Sequence, residues 1–266
     1  MGSIDPKNEF LITHLIERYS YDGAQSLLKD LKIDNVDLYY LVSSCKYASN
    51  FDFETSLEML EKMSPKVKNS KKIKKIKNNL LDLIEGNPEI ILEEFIENIK
   101  IKVKKDEYID FLGRAYRFKE AILKYVFIRS EMSKKEVSLL SSKVSKRNIL
   151  KTLKKDFKIY TNNLSYGLTI YINKRMGRKK SIRNVLAILN SDKMESLMRL
   201  RHESPVGHGF KGVSKQDIEQ VYDSPKEVIN DFVKVCGYLD IDIKHNKYDN
   251  INESIKDLLY KYTFKI

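Results

Sequence analysis

The chain is poor in the residues that mark metal centres, disulfide frameworks and membrane spans. Two cysteines, four histidines and no tryptophan occur among 266 residues. Cys45 and Cys236 are far apart, and the chain has neither a CxxC nor a His/Cys ligand spacing. This pattern implies neither a zinc site nor a disulfide framework, and it indicates a reducing cytoplasm. No apolar run approaches the roughly 18 residues of a membrane helix, and no signal pattern opens the chain. We therefore expect a cytoplasmic protein that has no membrane contact and needs no cofactor or metal.

Nucleotide-binding motifs are missing as well. The sequence has no GxGxxG, no P-loop and no alternation of strand and helix patterns, so nothing predicts a parallel sheet with a phosphate cradle. A hydrophobic content of 42% is enough for the core of one large or two modest domains. Apolar residues recur at helical spacing along the chain, which predicts an all-α fold.

Apolar periodicity and capping residues place the individual helices. Capping residues before Pro65, Pro88 and Pro225 predict three helix starts, and Ser224 with Glu227 predicts a capping box. Residues 241–244 are expected to form a short extended piece, with His245 in an exposed turn. The other predicted helices cover residues 8–19, 22–31, 35–48, 52–63, 88–104, 107–130, 134–140, 147–157, 164–175, 181–190, 214–222, 225–238 and 251–262.

A helix stop and a helix start coincide at residues 85–88, which is the best candidate for a domain junction. We expect a helical linker domain over residues 7–86 and a second helical domain over residues 87–266. Residues 1–6 resemble a vector-derived leader and are excluded from the fold prediction. Within the second domain, residues 107–130 carry a broad apolar face typical of the central helix of a bundle.

Positive charge is concentrated in one part of the chain. The net charge is +12 with a pI near 9.3, and residues 133–215 hold 20 Lys/Arg against 5 Asp/Glu. Such a balance indicates an anionic partner. We interpret the lysines of residues 66–77 as a solvated helix face. Tyr160, Tyr166 and Tyr171 lie nearest the basic segment, although core packing is the favoured role for most tyrosines. The candidate RNA-binding residues are Arg178, Lys179, Lys180, Arg183 and Lys211.

Two of the four histidines lie close to an arginine in residues 198–210. Helical spacing from Ser191 or Asp192 places Arg201 and His202 in the last turn of a helix, and Pro205 favours its end. The following glycines permit a backbone that approaches a ligand closely. We expect this loop to fold His208 back toward Arg201.

Arginine beside histidine is suited to cleaving RNA without a metal. An imidazole can take the 2'-hydroxyl proton or protonate the leaving 5'-oxygen. A guanidinium offers a permanent charge and a planar fork of donors to phosphate oxygens. Arg201 and His208 are therefore the candidate catalytic residues, and His202 either orients the phosphate or contributes little.

Arg201, the polar residue after it, and His208 followed by Gly209 resemble the R-x(4 to 6)-H signature of the HEPN superfamily of ribonucleases. The spacing is Arg-x6-His, and His202 stands where asparagine is more usual. The basic helical surroundings, with Tyr-Asp-Gly-Ala-Gln-Ser-Leu-Leu at residues 21–28, are similar to the ancillary ribonuclease of type III CRISPR systems.

The resemblance implies a helical linker domain followed by a HEPN domain. It also implies a homodimer with a composite active site that cuts single-stranded RNA, in antiviral defence. A cyclic-oligoadenylate activator is expected only for a full-length form with an N-terminal sensor domain, a part that this sequence does not match.

Two other functions fit the same composition. A non-catalytic basic helical module would bind RNA or DNA through phosphates alone, with Arg201 as one contact among many. A helical interaction scaffold would make the charge incidental and would show no salt-sensitive affinity for nucleic acid. No constellation that reads bases is recognisable.

Overall fold

The computed structural model describes residues 4–34, 36–131, 138–244 and 246–263. Within these residues every regular element is a helix, so the fold is all-α. None of the described helices is long and apolar enough to cross a membrane. The helices are α1 Pro6–Glu17, α2 Tyr21–Asp30, α3 Asp37–Ala48, α4 Phe53–Glu61, α5 Pro65–Lys68, α6 Lys71–Ile84, α7 Pro88–Lys104, α8 Tyr108–Glu131, the 3-10 helix Ser142–Val144, α9 Lys146–Phe157, α10 Leu164–Met176, α11 Lys180–Leu189, α12 Asp192–Glu203, α13 Lys215–Tyr222, α14 Pro225–Tyr238 and α15 Lys247–Thr263.

The chain divides into two compact units. One contains the residues up to Ile84 together with those from Asn246 onward, and the other is Glu85–His245. In the first unit α15 packs against α1 and α3. Tyr248 and Ile255 of α15 are fully buried there, and the Tyr21 hydroxyl donates a 2.8 Å hydrogen bond to Asn252. The C-terminal helix therefore completes the N-terminal core.

The second unit is built around α8, as the broad apolar face of residues 107–130 predicts. This helix packs against α7, α10 and α12. Phe118 stacks on Phe232 of α14, with ring centroids 4.2 Å apart. The apolar residues expected on the core face are all buried: Tyr108, Phe111, Leu112, Ala115, Phe118, Ala121, Ile122 and Tyr125.

Helix starts follow the predicted prolines, but their caps differ in detail. The Asn87 side chain accepts hydrogen bonds from the backbone of Glu89 and Ile90, ahead of Pro88. Ser224 accepts one from Glu227 at 3.2 Å, although the reciprocal half of that predicted capping box is not formed. A complete capping box occurs instead at Ser214 and Asp217, where the Asp217 carboxylate accepts from the Ser214 backbone. The Ser64 side chain makes no capping bond to α5.

Two predictions about the ends of the chain are corrected by the structure. Residues 4–6 belong to the fold, because Ile4 is buried and Asp5 caps α1 by accepting from Asn8. Excluding these three residues from the fold was therefore wrong, whereas residues 1–3 lie outside the described residues. The predicted second domain, residues 87–266, is also too long. Its last helix packs with the N-terminal unit, because the apolar stripe of α15 covers α1 and α3.

Two shorter predictions are corrected as well. Part of the predicted helix 134–140 lies outside the described residues, and its last three residues form no helix, since Leu139 donates its backbone hydrogen bond to Gly86. The predicted extended piece 241–244 forms no strand, and the described residues contain no strand that it could pair with. The exposed turn expected at His245 lies outside the described residues.

Candidate functional site

Helix α12 holds Arg201 and His202 in its last turn, as its sequence predicts. The Ser191 hydroxyl, rather than Asp192, caps the helix by accepting from the Met194 backbone at 3.3 Å. Met194, Leu197, Met198 and Leu200 are buried. Packing on this side leaves Arg201 half-buried and His202 exposed. The helix ends at Glu203, two residues before Pro205.

The loop after α12 folds back over the C-terminal end of the helix. The backbone amides of His208 and Gly209 both donate to the His202 carbonyl at 3.1 Å, and the Lys211 amide donates to Glu203 at 2.9 Å. Ser204 is fully buried, and its hydroxyl donates to the Arg201 carbonyl at 2.8 Å. These bonds satisfy carbonyl groups that a helix end leaves without partners. The His208 backbone is thereby fixed at the helix end that carries Arg201 and His202.

Two glycines allow this close approach between loop and helix. A Cβ atom at Gly207 would lie 2.4 Å from the Arg201 carbonyl oxygen, and one at Gly209 would lie 2.0 Å from that of Glu203. Both distances are far below van der Waals contact, and both neighbours are backbone atoms that cannot rotate away. By contrast, a Cβ at Gly212 would meet nothing within 4 Å. Gly207 and Gly209 are therefore required by the fold of the loop.

The Arg201 guanidinium lies over the ring of Tyr116 on α8, with its central carbon 4.5 Å from the ring centroid. A cation at this distance is attracted by the aromatic face. The Arg201 Nε is buried and finds no hydrogen-bond acceptor among the described residues. A ligand can therefore reach the terminal nitrogens of the guanidinium more easily than the Nε. Sequence analysis missed Tyr116, whose role depends on how α8 and α12 pack.

The two histidines differ in their contacts. Arg201 Nη1 lies 3.4 Å from His202 Nδ1, close enough to donate a weak hydrogen bond when that nitrogen carries no proton. His208 is exposed, and its ring makes no hydrogen bond to any described residue. The structure therefore brings Arg201 and His202 into direct contact, whereas it brings His208 near them through the backbone.

Phe210 and Lys211 complete the surface of the loop. The Phe210 side chain is 96% exposed, the most of any large apolar residue described. Its neighbours Gly209 and Lys211 are both held by backbone hydrogen bonds to α12. Lys211 also lies 3.6 Å from the Glu203 carboxylate, so part of its charge is already compensated. Both side chains of this pair are largely exposed, and contact of Lys211 with phosphate stays a prediction.

A buried cation on α8 was also missed by sequence analysis. Lys119 follows Tyr116 by three residues and is only 9% exposed. Burial lowers the pKa of its ammonium, while the Glu195 carboxylate on α12 acts in the opposite direction. A lysine within an otherwise apolar helix face was the available sequence signal. Lys119 therefore places a buried cation on the helix that carries Tyr116.

The remaining candidate RNA-binding residues surround the turn from α10 to α11. Arg178, Lys179, Lys180 and Arg183 are all exposed, as phosphate contact would require. Arg183 Nη1 donates to the Arg178 carbonyl at 3.1 Å, which orders the turn. No described hydrogen bond or ion pair joins these four residues to Arg201 or His208. They form a separate basic region of the same unit.

Comparison with known proteins does not assign the chain to a family. Neither a protein-family model nor a curated protein matches the chain in sequence. Within the described parts of the chain, no three His, Cys, Asp or Glu side chains come together in a way that could hold a metal ion. The chemistry at the end of α12 is thus argued from Arg201, His202 and His208 themselves.

Proposed function

We propose that the chain is an endoribonuclease that cuts single-stranded RNA without a metal ion. The observation that carries the proposal is the loop after α12, which holds His208 at the helix end that presents Arg201 and His202. An exposed imidazole and a guanidinium are the groups that this cleavage needs. The resemblance to HEPN ribonucleases supports the same reaction and a role in type III CRISPR defence.

The reaction begins when the His208 imidazole takes the proton of a ribose 2'-hydroxyl. The 2'-oxygen forms a bond to the adjacent phosphorus, and negative charge builds up on the non-bridging oxygens. Arg201 stabilises that charge with its terminal N–H groups, which Tyr116 holds in place. The bond from phosphorus to the 5'-oxygen then breaks, and this oxygen takes up a proton. The products are a 2',3'-cyclic phosphate and a 5'-hydroxyl.

A second acid is needed on the leaving-group side. One imidazole cannot readily serve as base and acid on opposite sides of one phosphate. We propose that a twofold dimer supplies His208 from each subunit to one groove, as the resemblance implies. His202 would orient the phosphate together with Arg201.

A gel assay separates this proposal from a non-catalytic nucleic-acid-binding module. A labelled single-stranded RNA is incubated with the protein in excess EDTA, beside a DNA of the same sequence. We expect cleavage of the RNA alone, because the attacking group is the 2'-hydroxyl. Binding of both strands without cleavage would favour the non-catalytic module, and activity lost on chelation would contradict the metal-independent mechanism.

A further inference from the structure

A strongly basic helix face lies outside the candidate active site. Arg147, Lys151, Lys154, Lys155 and Lys158 of α9 and its C-terminal cap are all exposed. Their spacing places them on one side of the helix, opposite the buried Ile149 and Leu153. At 1.5 Å per residue they extend over about 17 Å. We name these five residues the α9 face.

The α9 face is not neutralised by nearby carboxylates. None of its five cations lies within ion-pair distance of an Asp or Glu among the described residues, whereas lysines around α6 pair with Glu61 and Asp257. From residue 146 to residue 183 the sequence has twelve Lys/Arg and a single Asp. A solvated helix face that served only solubility would mix both signs. The unbalanced positive charge of the α9 face therefore favours an anionic ligand.

Two exposed tyrosines accompany these cations. Tyr160 is 70% exposed and Tyr166 is 60% exposed, in contrast to the buried Tyr171. The Lys154 ammonium lies 5.9 Å from the Tyr160 ring centroid, so the ring lies beside the α9 face. Tyr166 lies in the first turn of α10, which packs closely on the buried side of α9, since a Cβ at Gly167 would lie 3.0 Å from Leu153. Bases of a single strand can stack on exposed rings, whereas paired bases cannot.

The surface continues along α10 toward the basic region at the turn from α10 to α11. Ile170 and Asn173 follow Tyr166 at helical spacing and line an open cleft of about 400 Å³ between α10 and α11, which Arg183 also lines. The helix that carries Tyr166 therefore also lines a cleft with Arg183, a cation that sequence analysis assigned to phosphate contact. Along the chain, Tyr160 and Tyr166 thus lie between the cations of α9 and those of the turn from α10 to α11.

We propose that the α9 face, together with Tyr160 and Tyr166, binds single-stranded nucleic acid. The cations contact successive phosphates, and the two rings stack on bases of any sequence. This inference goes beyond the proposed function and does not depend on cleavage. RNA and DNA share the chemistry that the surface recognises.

The test uses a fluorescein-labelled 2'-O-methyl oligonucleotide of 16 nucleotides, about one binding site in length. It has no 2'-hydroxyl to attack, so binding to the full chain is measured whether or not the protein is a ribonuclease. Anisotropy titrations at several salt concentrations are repeated with single-stranded DNA, with a DNA duplex and with phosphatidylserine vesicles. We expect both single strands to bind in preference to the duplex and the vesicles.

The charge variant replaces Lys151, Lys154 and Lys155 by Gln. The matched control replaces Lys71, Lys74 and Lys75 of α6 by Gln, which removes the same charge from exposed positions that form no ion pair with a described residue. We expect the α9 variant to lower the slope of log affinity against log salt by about 2, since each phosphate contact on a single strand contributes about 0.7. An equal decrease of this slope in both variants would show that only the net charge of the protein matters, and it would overturn the proposal.

The tyrosine variants test stacking. Tyr160→Ala and Tyr166→Ala are each expected to weaken binding of the single strands about fivefold or more, while Tyr→Phe at either position retains the affinity. Tyr→Leu, which keeps apolar area without a ring, should behave like Ala. Unchanged affinity in the Ala variants, or equal binding of duplex and vesicles, would overturn the proposal. Circular dichroism checks that every variant keeps its helical content.

Discussion

At the residue scale, the candidate site depends on how one guanidinium is held. Tyr116 covers the Arg201 head from α8, and His202 Nδ1 lies 3.4 Å from its Nη1. A planar guanidinium keeps both contacts while it offers N–H groups to a phosphate. A lysine in its place would supply one charge without the fork. Arg201 is therefore the residue at which the proposed function is most easily tested.

We expect Arg201→Ala and His208→Ala each to lower the cleavage rate about 100-fold or more, the scale of a lost charge-stabilising or proton-transfer group. His202→Ala should lower the rate less. Arg199→Ala is the matched control, because Arg199 is exposed on the same helix and its side chain donates a hydrogen bond to Ser196 rather than to a candidate catalytic residue. Near-normal cleavage by folded Arg201→Ala or His208→Ala protein would refute the assignment.

Tyr116 is a positioning residue, since it acts through Arg201. Tyr116→Leu removes the aromatic face and should lower kcat about 10-fold, within the range of a partly buried cation–π contact, with little change in KM. Tyr116→Phe keeps the ring and should retain the rate of the wild type. If Leu and Phe variants lose the same activity, the hydroxyl or the packing volume matters rather than the cation–π contact.

At the element scale, the turn after α12 is set by two glycines. Gly209→Ala would place a Cβ 2.0 Å from the Glu203 carbonyl oxygen, so the loop must move and carry His208 with it. We expect this variant to lower the cleavage rate at least 10-fold and to reduce thermal stability, as a forced backbone shift does. Gly212→Ala, with nothing within 4 Å, should leave both unchanged. The opposite ranking of the two variants would show that the loop geometry is irrelevant to activity.

The sequence allowed the elements to be predicted more fully than the contacts between them. Helix starts at Pro88 and Pro225, the apolar face of α8 and the position of Arg201 in the last turn all follow from local periodicity and capping. Tyr116 and Arg201 are 85 positions apart in the sequence, and their contact follows from the packing of α8 against α12. Local patterns carry no information about such pairs, and for the same reason they could not show that α15 completes the N-terminal core.

At the scale of the whole molecule, α15 completes the core of the first unit, and we therefore expect its buried side chains to stabilise that unit. Tyr248→Ala and Ile255→Ala delete fully buried side chains and should each destabilise that unit by about 2–5 kcal/mol. Tyr260→Ala on the same helix, where the side chain is 51% exposed, should change stability by less than about 0.5 kcal/mol. Hydrogen exchange in α1 and α3 is the measurement, because it reports this unit separately. Unaltered protection in both core variants would contradict the packing of α15.

The proposed composite site makes the last prediction, which concerns two copies of the chain. Inactive His208→Ala protein is mixed with wild type, subunits are allowed to exchange, and the rate is followed against the wild-type fraction at constant total protein. If one groove needs His208 from both subunits, the rate follows the square of that fraction, so an equal mixture retains about one quarter of the activity. Arg199→Ala chains serve as the control and should leave the rate unchanged at every ratio. Sedimentation of the wild type should show a dimer at the assay concentration. A rate strictly proportional to the wild-type fraction would instead show that each chain cuts alone, and the second proton would then have to come from His202 or from water.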